Sequence, residues 1–190
     1  MAYTDEEILE KREQRKREIH TTLEEGMYLG GEVVSFERKE LFGIFSIMLP
    51  VSWGQMPVEY ARIKYPSEFR PQIILTSTDL KINMGFTAFS EQVPCDDVGE
   101  LTEQIRSVIH RNNPDYLLYA CENLPEAKGC WFSFRSHAMD SDLYNMMLMM
   151  PVKKRMVQGS FNCPYQDYIE WKKAVLMMWN SIMELEGYIR

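Results

Sequence analysis

The sequence predicts an α+β domain built on an antiparallel β-sheet covered by helices, and three observations carry that prediction. The first is Gly43 to Trp53, GIFSIMLPVSW, an apolar run that reads as a strand buried on both faces. Pro50 has no amide to give to a ladder, so the strand ends there or sits at an edge. The second is a series of strand-like segments in the latter half of the chain, separated by short polar turns, the pattern of an antiparallel meander. The third is a closing segment in which Tyr168, Trp171, Val175, Met178, Trp179, Ile182 and Leu185 step by three and four. Two tryptophans on one helical face are costly to leave in water, so this helix must lie across a sheet.

Taken in order, residues 5 to 24 read as a charged helix with few apolar positions. Glu7 with Lys11 and Glu13 with Arg17 stand at the favourable i, i+4 spacing. Such a helix gains little from packing, which makes residues 1–26 a charged helical arm, and Gly26, Gly30 and Gly31 a joint. A hairpin follows, Glu32 to Glu37 and Phe42 to Leu49, turning at Arg38-Lys39. Glu59 to Tyr65 and Gln72 to Thr78 read as strands with Pro66 and Pro71 between them. The latter pairs with Lys81 to Phe89 through the turn Thr78-Asp79. Asp97 to Arg111 is a helix whose Val98, Leu101, Ile105, Val108 and Ile109 share one stripe. Asp97 caps it, with Glu100 three residues on. Asp115 to Glu122, Gly129 to Met139, Leu143 to Met150 and Lys154 to Phe161 are strands. Asp140-Ser141-Asp142 and Val152-Lys153 are turns among them. The closing helix runs from Pro164, suited to a first helical position, to about Glu186.

Composition narrows the function. A chain of 190 residues suits one domain, and a 45% hydrophobic content can fill its core. The net charge of -7, without a sustained basic stripe, argues against nucleic acid. Lys153-Lys154-Arg155 reads as a solvated hairpin tip. No apolar segment approaches the ~20 residues of a membrane span, and the N-terminus lacks the apolar core of a signal peptide, so the expected setting is the cytoplasm. Cys95, Cys121, Cys130 and Cys163 form no CxxC pair and read as reduced structural thiols.

The order of elements, with two local patterns, resembles the PsbP-like superfamily. One pattern is Phe45-Ser46-Ile47-Met48-Leu49-Pro50 with Trp53. The other is Gly159-Ser160-Phe161-Asn162-Cys163-Pro164 followed by Trp171, Trp179 and Ser181-Ile182. The superfamily includes the photosystem II extrinsic protein, a Ran-binding nuclear-import factor, DcrB-type proteins and effector-associated chaperones of type VI secretion. The resemblance covers about residues 32–186 and implies an α/β/α sandwich, with residues 27–190 as a single domain, and a role in binding proteins rather than catalysis.

Candidate chemistry is sparse. His20, His110 and His137 have no carboxylate or cysteine nearby at metal-ligand spacing, and no phosphate-cradling or nucleophile motif occurs. Cys95 precedes a helix, but Asp96 and Asp97 oppose thiolate formation. Asp140 and Asp142 read as turn residues rather than cation ligands. No metal or cofactor is expected. The methionines are the functional hint: Met146, Met147, Met149 and Met150 lie in one strand, with Met147 and Met149 on a common face. Thioethers fill irregular cores by default, and they also line adaptable binding grooves. The expected function is a non-catalytic protein-binding module, chaperone or adaptor. Met147, Met149, Trp171 and Met177 are the candidate partner contacts, and an apolar or amphipathic helix is the candidate partner. A homodimer through the aromatic strands (Tyr116, Tyr119, Trp131, Phe134) or the closing helix is a further expectation. The alternative is a small-molecule carrier or enzyme with a pocket between sheet and helices.

Overall fold

The computed structural model describes residues 5–90, 97–138 and 141–186. Helix α1 (Asp5–Ile19) precedes β1 (Thr21–Thr22), β2 (Gly26–Leu29), β3 (Glu32–Val34), β4 (Phe36–Leu41), β5 (Phe45–Pro50) and β6 (Gly54–Gln55). Next come α2 (Val58–Lys64), β7 (Ile73–Thr76), β8 (Asn83–Ala88) and α3 (Val98–Asn112). The rest of the chain forms β9 (Leu117–Leu118), β10 (Glu122–Leu124), β11 (Gly129–His137), β12 (Asp142–Val152), β13 (Arg155–Pro164), α4 (Tyr168–Asn180) and β14 (Met183–Glu184). The main sheet runs β10-β11-β12-β13-β8-β7-β6, with β9 also on β11; two small sheets run β1-β2-β3 and β14-β5-β4. The pairings are antiparallel, as the sequence predicts.

Several elements form for the reasons read in the sequence. Val51 follows Pro50 out of β5, and Phe45, Ile47 and Leu49 are buried with Ser46 and Pro50 from the opposite parity. Asp97 accepts a 2.8 Å bond from the Glu100 amide, satisfying one of the orphan donors of α3. Asp79 closes the β7–β8 turn, taking bonds from Ser77 Oγ at 2.6 Å and the Lys81 amide at 3.1 Å. Strands β11, β12 and β13 form the meander. Its second turn is Lys153-Lys154, with φ of 48° and 63°, one residue later than Val152-Lys153.

Several elements differ from the reading. Helix α1 stops at Ile19, and residues 21–29 fold back as a hairpin that buries Leu23, Met27 and Leu29. Gly30-Gly31 are the tight turn of the next hairpin, with φ of 60° and 88°, rather than a joint. Arg38 and Lys39 lie mid-strand in β4; the chain turns at Phe42-Gly43, where φ is 55° and 66°. Residues 58–64 are a helix, entered at Pro57 and ended before Pro66, with Glu59 in its first turn and Arg62 and Lys64 in its last. The predicted strand over 115–122 is two pieces on β11. Leu118 pairs with Phe134 and Glu122 with Trp131, so the outer chain carries one extra residue, a bulge.

The closing helix is shorter at both ends. Pro164 completes β13, Tyr165–Asp167 make a 3₁₀ turn, and α4 ends at Asn180. Ser181 stops it: its hydroxyl donates to the Met178 carbonyl at 2.6 Å and accepts from the Met48 amide at 2.9 Å. The chain then adds β14 to β5, Met183 opposite Ser46.

These elements cover both faces of the main sheet. On one face, Met84, Phe86, Trp131, Tyr144, Met146, Leu148, Met150, Val157 and Phe161 pack with β5 and with Trp171, Val175, Met178 and Trp179 of α4. Trp171 stacks between Trp53 and Phe161, with ring centroids 5.6 and 6.1 Å away. On the other face, α3 packs over β11 and β12, where Cys130, Phe132 and Met149 are buried. Alternation along each strand sends neighbours to opposite faces, so this second face also carries Asn145 and Met147 of β12 and Asn162 of β13.

Candidate binding cleft

The second face of the sheet carries a row of polar side chains. Thr76, Asn83, Asn162 and Asn145 stand opposite one another on β7, β8, β13 and β12, and Phe134 on β11 ends the row. Directly opposed side chains on one face are close enough to bond, and these do. Thr76 Oγ1 donates to Asn83 Oδ1 at 2.7 Å, and Asn83 Nδ2 donates to Asn162 Oδ1 at 2.9 Å. Asn162 Nδ2 in turn donates to the Tyr65 hydroxyl at 2.7 Å. Asn145 bonds the other way, giving its amide hydrogens to Ser136 Oγ at 2.8 Å and the Phe134 carbonyl at 3.3 Å. Thr76, Asn83 and Ser136 are buried, so each amide is fixed by a bond it cannot exchange cheaply for water.

Tyr65 is brought to this row by α2, whose last residue precedes it, and by the segment that returns to β7. That segment presses Pro71 onto bare Gly85 of β8: a Cβ built there would lie 2.6 Å from Pro71 Cγ. Burial pushes the Tyr65 phenol up, and the Asn162 bond only partly opposes it. The hydroxyl therefore keeps its proton at neutral pH while its oxygen accepts from Asn162.

Beside the row lies a cleft of about 550 Å³, lined by Lys64, Tyr65, Lys81, Asn83, Asn145 and Asn162, with Ala138, Ser141, Leu143 and Pro164. Its chemistry is that of recognition: side-chain amides, two hydroxyls and two ammonium groups set in a lining that is mostly apolar. The rim continues into α2, which buries none of its residues; Ile63 is 76% exposed, and Phe69 in the following segment is 95% exposed.

The residues singled out from the sequence are spread around this site. Met147 is half-buried and Met149 buried, both on the cleft's face of β12. Trp171 is buried on the opposite face and edges a separate hollow of about 390 Å³ with Asp79 and Asp167; Met177 is half-buried against the same core. Cys95 and Asp140 lie outside the described residues. Cys121 and Cys163 are pushed up to about 12, in both cases mainly by burial, and so stay thiols at neutral pH.

His137 has a carboxylate partner that comes from the strand register. The β11–β12 register sets it opposite Asp142, whose Oδ1 is 2.6 Å from His137 Nδ1. Arg135 Nε donates to Asp142 Oδ2 at 2.7 Å, and this guanidinium, more than the imidazole, holds the Asp142 carboxyl below the usual range. The cluster sits on the open end of the sheet, with the His137 side chain 61% exposed, and ties that hairpin end together. His20 meets the Glu25 carbonyl at 3.0 Å inside its turn.

The asparagine row is the feature that the sequence reading misses. Its signal is an Asn in each of three strand segments, beside apolar neighbours in INMGF, LYNMML and FNCPY, where strands are normally depleted of Asn.

No family model and no curated protein sequence matches the chain. Solved structures do. The solution structure of cyanobacterial PsbP (CyanoP) from Synechocystis sp. PCC 6803 aligns at a TM-score of 0.57 and 10% identity, over 82% of this chain and 96% of that one. This likeness makes the fold PsbP-like, in agreement with the resemblance carried by Phe45–Pro50 and Gly159–Pro164. LpqN of Mycobacterium tuberculosis, described as involved in cell envelope biogenesis, aligns at 0.46 and 10% identity, over 87% of this chain and 98% of its own. Among the described residues no helix is long and apolar enough to cross a membrane.

Proposed function

We propose that this chain is a non-catalytic protein-binding module, an adaptor or chaperone, whose contact surface is the amide-lined cleft and the α2 rim beside it. The observation that carries the reading is the bonded row Thr76–Asn83–Asn162–Tyr65 with Asn145 beside it. Amides and a protonated phenol move no proton near neutral pH, but a fixed row of them matches the alternating donors and acceptors of an extended backbone. The exposed Ile63, Tyr60 and Phe69 give such a segment apolar purchase outside the row. The PsbP-like fold supports the same class of role. Of the four partner contacts expected from the sequence, Met147 fits best, two residues from Asn145 along β12 and on the same face; Met149, Trp171 and Met177 would need their cover to open. The cytoplasmic setting and the homodimer expected from the sequence remain parts of this proposal.

Selecting peptides from a random library on the immobilised full chain, then titrating them against the wild type and Asn145→Leu, tests this. The substitution removes the amide from the cleft wall while keeping side-chain volume, and the expected effect is at least about tenfold weaker binding, from an unmet polar group on the peptide. Peptides that bind Asn145→Leu as tightly as the wild type, or a library yielding no binder, count against the cleft.

A further inference from the structure

We propose that the cleft seats a carboxylate, held by the Lys81 ammonium and the Tyr65 hydroxyl. This rests on the reading of the cleft as the binding surface and adds the chemical group it selects.

Charge is the first reason. The chain carries 28 acidic against 21 basic residues, yet the described lining of this cleft holds Lys64 and Lys81 and no carboxylate. Asp79 and Asp167, which act on these ammonium groups, line the neighbouring hollow and not this cleft, so within the described lining the two cations face no carboxylate of the chain's own. Hydrogen-bond direction is the second. The Tyr65 oxygen is occupied by Asn162 Nδ2, and among the described residues its own hydrogen is given to no acceptor, so it is a donor in search of one. Lys81 is similarly available: its side chain is 69% exposed, and among the described residues its one ion pair is the 3.6 Å contact with the exposed Asp79. Exposed pairs of that length hold weakly and exchange readily. Lys64 is tethered to the Leu80 carbonyl and supplies field more than contact.

A carboxylate fits this pair of donors. It accepts only, through two oxygens, and a charge-assisted bond from an ammonium plus one from a phenol occupies both. A phosphate would leave acceptor oxygens unmet with so few donors. The apolar atoms of Ala138, Leu143 and Pro164 can receive the carbon chain behind the carboxylate. Two sources share the chemistry: the C-terminus of a protein segment, and a free small carboxylic acid.

The test is a titration of the full chain, followed through the ¹⁵N–¹H side-chain signals of Asn83, Asn145 and Asn162. The probes are acetyl-trialanine with a free C-terminus, its C-terminal amide, and succinate, each up to about 10 mM, enough to fill a site with a Kd of ~1 mM. The expected result is saturable shifts with the free acid, at least about tenfold weaker binding of the amide, and a similar loss in Lys81→Gln, whose exposed site leaves folding intact. Succinate binding in place of the peptide acid keeps the carboxylate assignment and removes the protein segment as its source. Equal binding of acid and amide overturns the carboxylate assignment while leaving peptide binding in place. Absence of shifts with every probe, or an unchanged Lys81→Gln, also overturns it, independently of the outcome of the peptide selection.

Discussion

Trp179→Ala is expected to lower stability by about 3–5 kcal/mol, the range for emptying a large aromatic site in a packed core. Trp179 has 0% exposure and lies where α4, β5 and the main sheet meet. Its indole sits on Gly159, whose missing side chain leaves the sheet open to the ring: a Cβ there would be 3.4 Å from Trp179 Nε1. Truncation leaves a cavity among residues with no freedom to collapse, because Met178 and Val175 on α4 are themselves fully buried. Against a total stability of about 5–15 kcal/mol for a domain, the variant is marginal at best. Trp179→Phe should lose much less, since most of the volume remains and the indole N–H, buried without a partner among the described residues, is removed. Urea denaturation followed by far-UV circular dichroism checks the order wild type, Phe, Ala; an Ala variant within about 1 kcal/mol of wild type would mean that α4 is not anchored here.

Gly85→Ala is expected to cost about 1–3 kcal/mol by overpacking, and to reach the cleft as well. The added methyl would meet Pro71 Cγ at 2.6 Å, Pro71 Cβ at 2.7 Å and Ser160 Oγ at 2.8 Å. The serine can rotate, but the proline ring cannot, so the segment that carries Tyr65 must lift off the sheet. The Asn162–Tyr65 bond then lengthens, and ligand affinity falls together with stability. Gly54→Ala is the control: nothing lies within 4 Å of its added methyl, and the change should stay within about 0.5 kcal/mol. Thermal melts of the two variants, beside the asparagine side-chain spectra, separate the effects. A Gly85→Ala protein with wild-type melting and unchanged Asn162 signals would show that Pro71 does not hold Tyr65 in place.

Much of the architecture is legible in the sequence because it rests on local rules. The run ending at Pro50, the Asp97 cap and the alternation of β11 to β13 each act within a few residues. Helix α2 is not, for a physical reason: it buries nothing, so no apolar face imposes a 3.6-residue period, and Val58-Glu59-Tyr60 alternates as a strand would. Helix α4 reads too long because Ile182 and Leu185 continue its spacing, although the Ser181 hydroxyl turns the chain toward β5. The cleft depends on register. Asn145 and Asn162 are equidistant from the Lys153-Lys154 turn and therefore meet; a turn at Val152-Lys153 sets Asn145 opposite Ser160 instead. Asn83 joins them through the β13–β8 pairing, a contact between distant parts of the chain that no local pattern announces.

The measurement closest to the central claim is the mapping of a library-selected peptide onto the full chain by ¹⁵N–¹H and methyl chemical shifts. If the amide row is the binding surface, the largest shifts fall on the side chains of Asn145 and Asn162, on Tyr65 and on the Met147 methyl, while Trp171 and Met177 on the opposite face stay put. Shifts centred on Trp171 and Met177, with the asparagine amides unmoved, would contradict it.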